Sequence, residues 1–263
     1  MRVISFCADG IEQAAERGFY EWMCRQDADV VCVQDLRTQE YKLREDHYFP
    51  PPYNAYFFDS EDGSNGVAVY CRDLPKAIMT GLGFADFDSE ARYMQADFER
   101  ISFGSLLAPD AFVGEEKSME RKTQFFQQLH DHLEKIRNKR REFVICGNFH
   151  IAHQSRDVAK PEQRAGKVGF TDVERGWFDQ VLMDLGYVDA FRAAISDADE
   201  FTWWPSGEID DDGLRVDYQI VSQGLRATVE YGSILKGQLF STHAPLTVDY
   251  DYEINPEQGV PRF

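Results

Sequence analysis

Gly147-Asn148-Phe149-His150 and Ser241-Thr242-His243-Ala244-Pro245 are the two stretches whose reading decides the fold of this chain. The first ends the apolar run Phe143-Val144-Ile145-Cys146, and the second opens the run Pro245-Leu246-Thr247-Val248. Short Val/Ile-rich runs that stop at glycine or polar positions read as buried strands. Working outward, residues 3–7, 30–34, 67–71, 93–98, 101–107 and 216–221 have the same character. In layered α/β folds, loops at strand ends hold side chains over the core, and chemistry collects there. Taken in order, the remaining ends are Cys7-Ala8-Asp9-Gly10, Gln34-Asp35, Leu107-Ala108-Pro109 and Arg215-Val216-Asp217.

Helical patterns alternate with the runs. Ile11, Ala14, Ala15, Gly18 and Trp22 share one face at 3.6 spacing. A second helix is predicted over 118–138, with Phe125, Phe126, Leu129, Leu133 and Ile136 on its stripe. A third opens on the capping-box pattern Thr171-x-x-Glu174 and stops at Gly186. With no repeat or low-complexity linker, the 263 residues read as one α/β domain, 1–263.

The five cysteines, Cys7, Cys24, Cys32, Cys71 and Cys146, show no C-x-x-C spacing and read as reduced thiols of a cytoplasmic protein. No membrane span or signal peptide is expected. The formal charge of −18 bears on function. Proteins that grip phosphate backbones cluster Lys and Arg, so this chain needs a local basic patch, a cation or a basic partner to meet nucleic acid.

The order and spacing of the strand ends resemble the exonuclease III family of the endonuclease/exonuclease/phosphatase superfamily. That resemblance implies a two-sheet α/β sandwich with helices on the outer faces. It also implies a divalent-metal site at the Q-E glutamate, an aspartate base in G-D-x-N and a terminal Asp-His pair that works on the phosphate. Carried over, the metal-binding glutamate is Asp35, the base is Asn148, the partner asparagine is His150 and the aspartate before His243 is Thr242. Cys7 stands for the first-strand asparagine, and Leu107 stands for a tyrosine if Pro109 is the anchor. Asp217, His243 and a phosphate-side arginine, Arg92, remain.

Asn148 cannot accept a proton at neutral pH, and a positioned base is worth about 10²–10⁴-fold in rate. Thr242 cannot orient or charge-balance His243 as a carboxylate would. Asp35 alone would hold a metal weakly. The expected state is a relic site of Asp35, Asn148, His150, Asp217, Thr242 and His243, with no cofactor, or with Mg²⁺ or Mn²⁺ if nuclease activity persists.

Seven further segments carry a second resemblance: 10–18 (GIEQAAERG), 28–37 (ADVVCVQDLR), 93–98 (YMQADF), 152–154 (AHQ), 201–205 (FTWWP), 216–219 (VDYQ) and 243–250 (HAPLTVDY). They are similar to the catabolite repression control (Crc) family of pseudomonads, a degraded-site branch of the same fold. This resemblance implies a translational repressor of catabolic messages. It would act with the RNA chaperone Hfq on A-rich RNA and bind nucleic acid weakly alone.

Bland readings stand beside these. Asp217 would be structural if paired with Arg215 or a backbone amide. His150 and His153 would bind a transition metal only on a shared helical turn. Trp203-Trp204 would either stack a base or pack the core. Lys135, Arg137, Lys139, Arg140 and Arg141 end a helix, where one or two cations suit the macrodipole; five within seven positions predict an RNA or partner contact.

Overall fold

The computed structural model describes residues 1–255; positions 256–263 of the expected domain lie outside the described residues. Twelve strands form within them: β1 (Arg2–Cys7), β2 (Val30–Gln34), β3 (Asn54–Asp59), β4 (Gly66–Cys71), β5 (Ala77–Thr80), β6 (Tyr93–Asp97), β7 (Ile101–Leu107), β8 (Glu142–Asn148), β9 (Val188–Asp189), β10 (Asp217–Val221), β11 (Val229–Ile234) and β12 (Leu246–Tyr250). They make two sheets of like design, β11-β12-β1-β2-β4-β3 and β5-β6-β7-β8-β10-β9. The central pair of each, β1–β2 and β7–β8, is parallel, and its neighbours run antiparallel.

Three apolar clusters explain the layers. Val30, Val69, Phe103, Val144 and Val248 pack between the sheets. Phe125, Leu129, Leu133 and Trp177 cover the outer face of the second sheet from helices Glu116–Ile136 and Asp172–Asp179. Ile11, Phe19 and Trp22 cover the first sheet from Ile11–Glu16 and Phe19–Cys24. The result is the expected two-sheet sandwich with helices outside.

The predicted helix through Trp22 is two short ones, because Gly18 turns left-handed at φ 89°. The Thr171–Glu174 capping box forms: the Glu174 N–H donates to Thr171 Oγ1 and the Thr171 N–H donates to Glu174 Oε2. Gly147 answers a close approach, since a Cβ there would lie 2.4 Å from the Leu106 carbonyl oxygen. No helix among the described residues is long and apolar enough to cross a membrane.

This topology puts the C-terminal ends of β1, β2 and β8 beside the start of β10 and the approach to β12. Cys7 pairs in register with Gln34, and Asn148 pairs with Asp217. Side chains far apart in sequence therefore converge on one rim of the sandwich.

Candidate functional site: a neutralised cleft at the strand ends

The rim opens into a cleft of about 470 Å³ that includes Asp35, Asn148, His150, Thr242 and His243. Five of the six expected relic-site residues line it. The sixth, Asp217, lies just beneath and is 1% exposed.

Asp217 does not pair with Arg215. That arginine is fully buried and bridges Asp157 at 2.9 Å and Asp189 at 2.7 Å. Asp217 Oδ2 instead takes His243 Nδ1 at 2.7 Å. Burial opposes a charged imidazole, but Asp217 and Cys7 outweigh it and hold His243 well above the ordinary histidine range. Trp203 stacks on His243 at 6.0 Å, whereas Trp204 is 1% exposed in a core with Phe201 and Ala244. The tryptophan pair thus divides between cleft and core.

Asn148 has both ends of its amide occupied internally. Its Oδ1 accepts the His150 backbone N–H at 2.9 Å, and its Nδ2 donates to Cys7 Sγ at 3.4 Å. The backbone donor fixes which end is oxygen. Whatever its contacts, a neutral amide does not take a proton from water at neutral pH.

The carboxylates were only half legible. Asp35 is joined by Asp9, and Arg37 lies between them: its Nη2 is 2.5 Å from Asp9 Oδ1 and 2.8 Å from Asp35 Oδ2. Its Nε adds a bond to Asp35 Oδ1 at 3.2 Å. Thr242 Oγ1 donates to the other Asp9 oxygen at 3.1 Å. Burial pushes the Asp35 carboxyl up, and Arg37 offsets only part of that. An aspartate at 242 would face Asp9 with like charge, whereas threonine supplies a donor. Thr242, Asp9, Arg37 and Asp35 therefore form a closed set in which a guanidinium balances the carboxylates. An Mg²⁺ or Mn²⁺ ion, which takes oxygen ligands, would meet the Arg37 guanidinium already seated on both carboxylates.

Backbone conformation marks the same place. Asp9, Asp35, Arg37 and His150 all have left-handed φ, between 50° and 57°. Such non-glycine residues cost of order 1–3 kcal/mol each and gather at functional sites.

His150 and His153 share no helical turn. His150 lines the cleft, while His153 is buried and reaches Asp179 at 2.8 Å. Arg92 is held by Glu90 at 2.5 Å and lies within electrostatic reach of Asp35 and Asp110 in the cleft. Arg164 lines the cleft but pairs with Asp212 at 2.6 Å.

The basic stretch lies elsewhere. It leads into β8 at Glu142, whereas the cleft lies past Asn148 at the other end. Six residue steps of strand span about 20 Å. Arg141 is committed to Asp97 at 2.9 Å, and Arg137 donates to the Asp184 carbonyl at 3.1 Å. Lys135, Lys139 and Arg140 are exposed.

The chain is similar over its length to several nucleases. It is 27% identical to an exodeoxyribonuclease of Bacillus subtilis, covering 94% of this chain and 98% of that one. It is 28% identical to exodeoxyribonuclease III of Haemophilus influenzae, covering 95% and 100%. Its fold matches an AP endonuclease from Archaeoglobus fulgidus with TM-score 0.86 at 21% identity, over 96% of this chain and 100% of that one. A 3'-5' exonuclease from Neisseria meningitidis matches with TM-score 0.83 at 22% identity, over 96% and 100%. The model of the Endonuclease/Exonuclease/phosphatase family matches residues 10–243, which include Asp35, Asn148, His150, Asp217, Thr242 and His243. With the two-sheet sandwich and the His243–Asp217 pair at its rim, this match makes the chain a member of the endonuclease/exonuclease/phosphatase family.

Proposed function

We propose that this chain is a non-catalytic regulator built on the nuclease fold, a Crc-like translational repressor that acts with Hfq on A-rich RNA. One observation carries the reading: the metal-binding carboxylate position is closed by Arg37, while the base position is Asn148, spent on Cys7 and His150. A site without base or metal has lost the two groups that make water nucleophilic. Residues acting as a unit fail together.

Charge supports the same view. The cleft carries Asp9, Asp35 and Asp110 against arginines already paired, in a chain of −18. Such a rim repels a phosphate backbone. The exposed Lys135, Lys139 and Arg140 are about a strand's length away, so nucleic acid or an acidic partner face would meet the protein outside the ancestral groove. A partner would supply most of the phosphate grip.

The second reading is a metal-dependent phosphodiesterase of the exonuclease III type. The retained His243–Asp217 pair and the nuclease relatives favour it. Gel shifts with A-rich RNA separate the two. The regulator gives no shift alone and a supershift only with Hfq and RNA together. An unchanged Hfq–RNA band on adding the protein overturns it, and shortening of the RNA in Mg²⁺ or Mn²⁺ supports the second reading.

A further inference from the structure

Beneath the cleft, three groups chemically unlike the acidic rim come together. Cys7 Sγ, a ring nitrogen of His243 and a carboxylate oxygen of Asp217 lie within 4.8 Å of one another. All three residues are buried, none more than 5% exposed. Asp217 supplies a second, independent sign. Its Oδ2 meets His243, but its Oδ1 is buried without a hydrogen-bond partner among the described residues. A buried carboxylate oxygen left bare is costly unless something cationic completes it. Cys7 Sγ accepts the long bond from Asn148 Nδ2 and sits beside the His243 ring.

We propose that Cys7, His243 and Asp217 form a binding site for a soft divalent transition-metal ion of the zinc class. Zinc takes sulfur at about 2.3 Å and nitrogen or oxygen at about 2.0–2.2 Å, so tetrahedral ligand atoms sit about 3–4 Å apart. The cluster reaches that spacing by side-chain adjustments of about 1 Å. Thiolate with imidazole selects zinc-class ions over Mg²⁺, which wants oxygen. His243 also faces the cleft, giving the ion a route in and room for a water as fourth ligand. Entry displaces a proton from the Cys7 sulfur and one from the His243 ring to solvent, so uptake weakens as pH falls. The site is distinct from the Asp35 position closed by Arg37, and it does not depend on the RNA reading.

Cobalt(II) is the probe. Titrating the full-length protein with CoCl₂ should raise a thiolate-to-cobalt charge-transfer band in the near ultraviolet, saturating at one ion per chain. ZnCl₂ should abolish the band and MgCl₂ should not. Cys7→Ser should remove it and His243→Gln should weaken it at least tenfold, with circular dichroism confirming that each variant is folded. Cys24→Ser, at the exposed thiol, should leave it unchanged. No band in the wild-type protein overturns the proposal. So does a band that survives in a folded Cys7→Ser variant, one that keeps the wild-type affinity in a folded His243→Gln variant, or one lost in Cys24→Ser.

Discussion

Arg37→Gln isolates the feature that separates this cleft from a metal site. The substitution removes the guanidinium but keeps a Cβ at φ 50°, so backbone strain is common to both proteins. Two contacts are lost, to Asp9 and Asp35. The Arg37 side chain is 52% exposed and its partners are 23% and 13% exposed, so solvent screens much of the attraction. A loss of about 1–2 kcal/mol in folding stability is expected. The carboxylates left behind then repel each other and become the best oxygen ligands on the rim. At an ion concentration ten times the dissociation constant, Mn²⁺ would restore about 1.4 kcal/mol. Urea denaturation with and without MnCl₂ reads both effects from the midpoint. The wild-type midpoint should not move with Mn²⁺, and the variant's should rise. An equal rise in both proteins would show that Arg37 does not block the ion, and no rise in either would show that the carboxylates do not form a site.

Three further outcomes follow from other parts of the molecule. Asp157→Asn leaves the buried Arg215 and Arg192 without their shared carboxylate, at a cost of about 3–5 kcal/mol in chemical denaturation. Burial alone would raise the Asp157 carboxyl, but the two arginines outweigh it and hold it below the ordinary range. Its stabilisation is therefore present above the unfolded value near 4 and is lost as pH falls through the folded one; the variant's acid limb should be flatter than the wild type's. Exchanging Lys135, Lys139 and Arg140 for Gln should weaken the three-component RNA supershift and reduce its salt dependence, while the melting temperature stays within about 2 °C because no described contact is lost.

How much was legible beforehand follows burial. The eight strands expected from apolar runs all form, within a few residues at their ends. The four that were not foreseen, β3, β5, β9 and β11, are the edge strands of the two sheets. An edge strand is paired on one side only, and three of these are half exposed, as in Ala77–Thr80 and Val229–Ile234. Their side chains have no reason to form an apolar run. The fourth, Val188–Asp189, is two residues long and too short to show a period.

The same limit applies to the cleft. Asp35, Asn148, Thr242 and His243 could be placed because each follows or precedes a buried strand. Arg37 lies two residues past Asp35 in a loop, a spacing that carries no face rule. Only the left-handed turns at Asp35 and Arg37 fold it back between Asp35 and Asp9. The partner of Asp217 was open for a related reason. Arg215 is two residues away, but it lies ahead of β10 and bridges Asp157 and Asp189, while Asp217, the first residue of β10, faces His243.

The most direct test of the central claim is cleavage of duplex DNA bearing an abasic site by the purified protein in MgCl₂ or MnCl₂. A cleft neutralised by Arg37 and lacking a base at Asn148 should give no strand breakage above the uncatalysed background. Metal-dependent cleavage that disappears in both Asp217→Asn and His243→Gln would contradict it and make this chain a working nuclease.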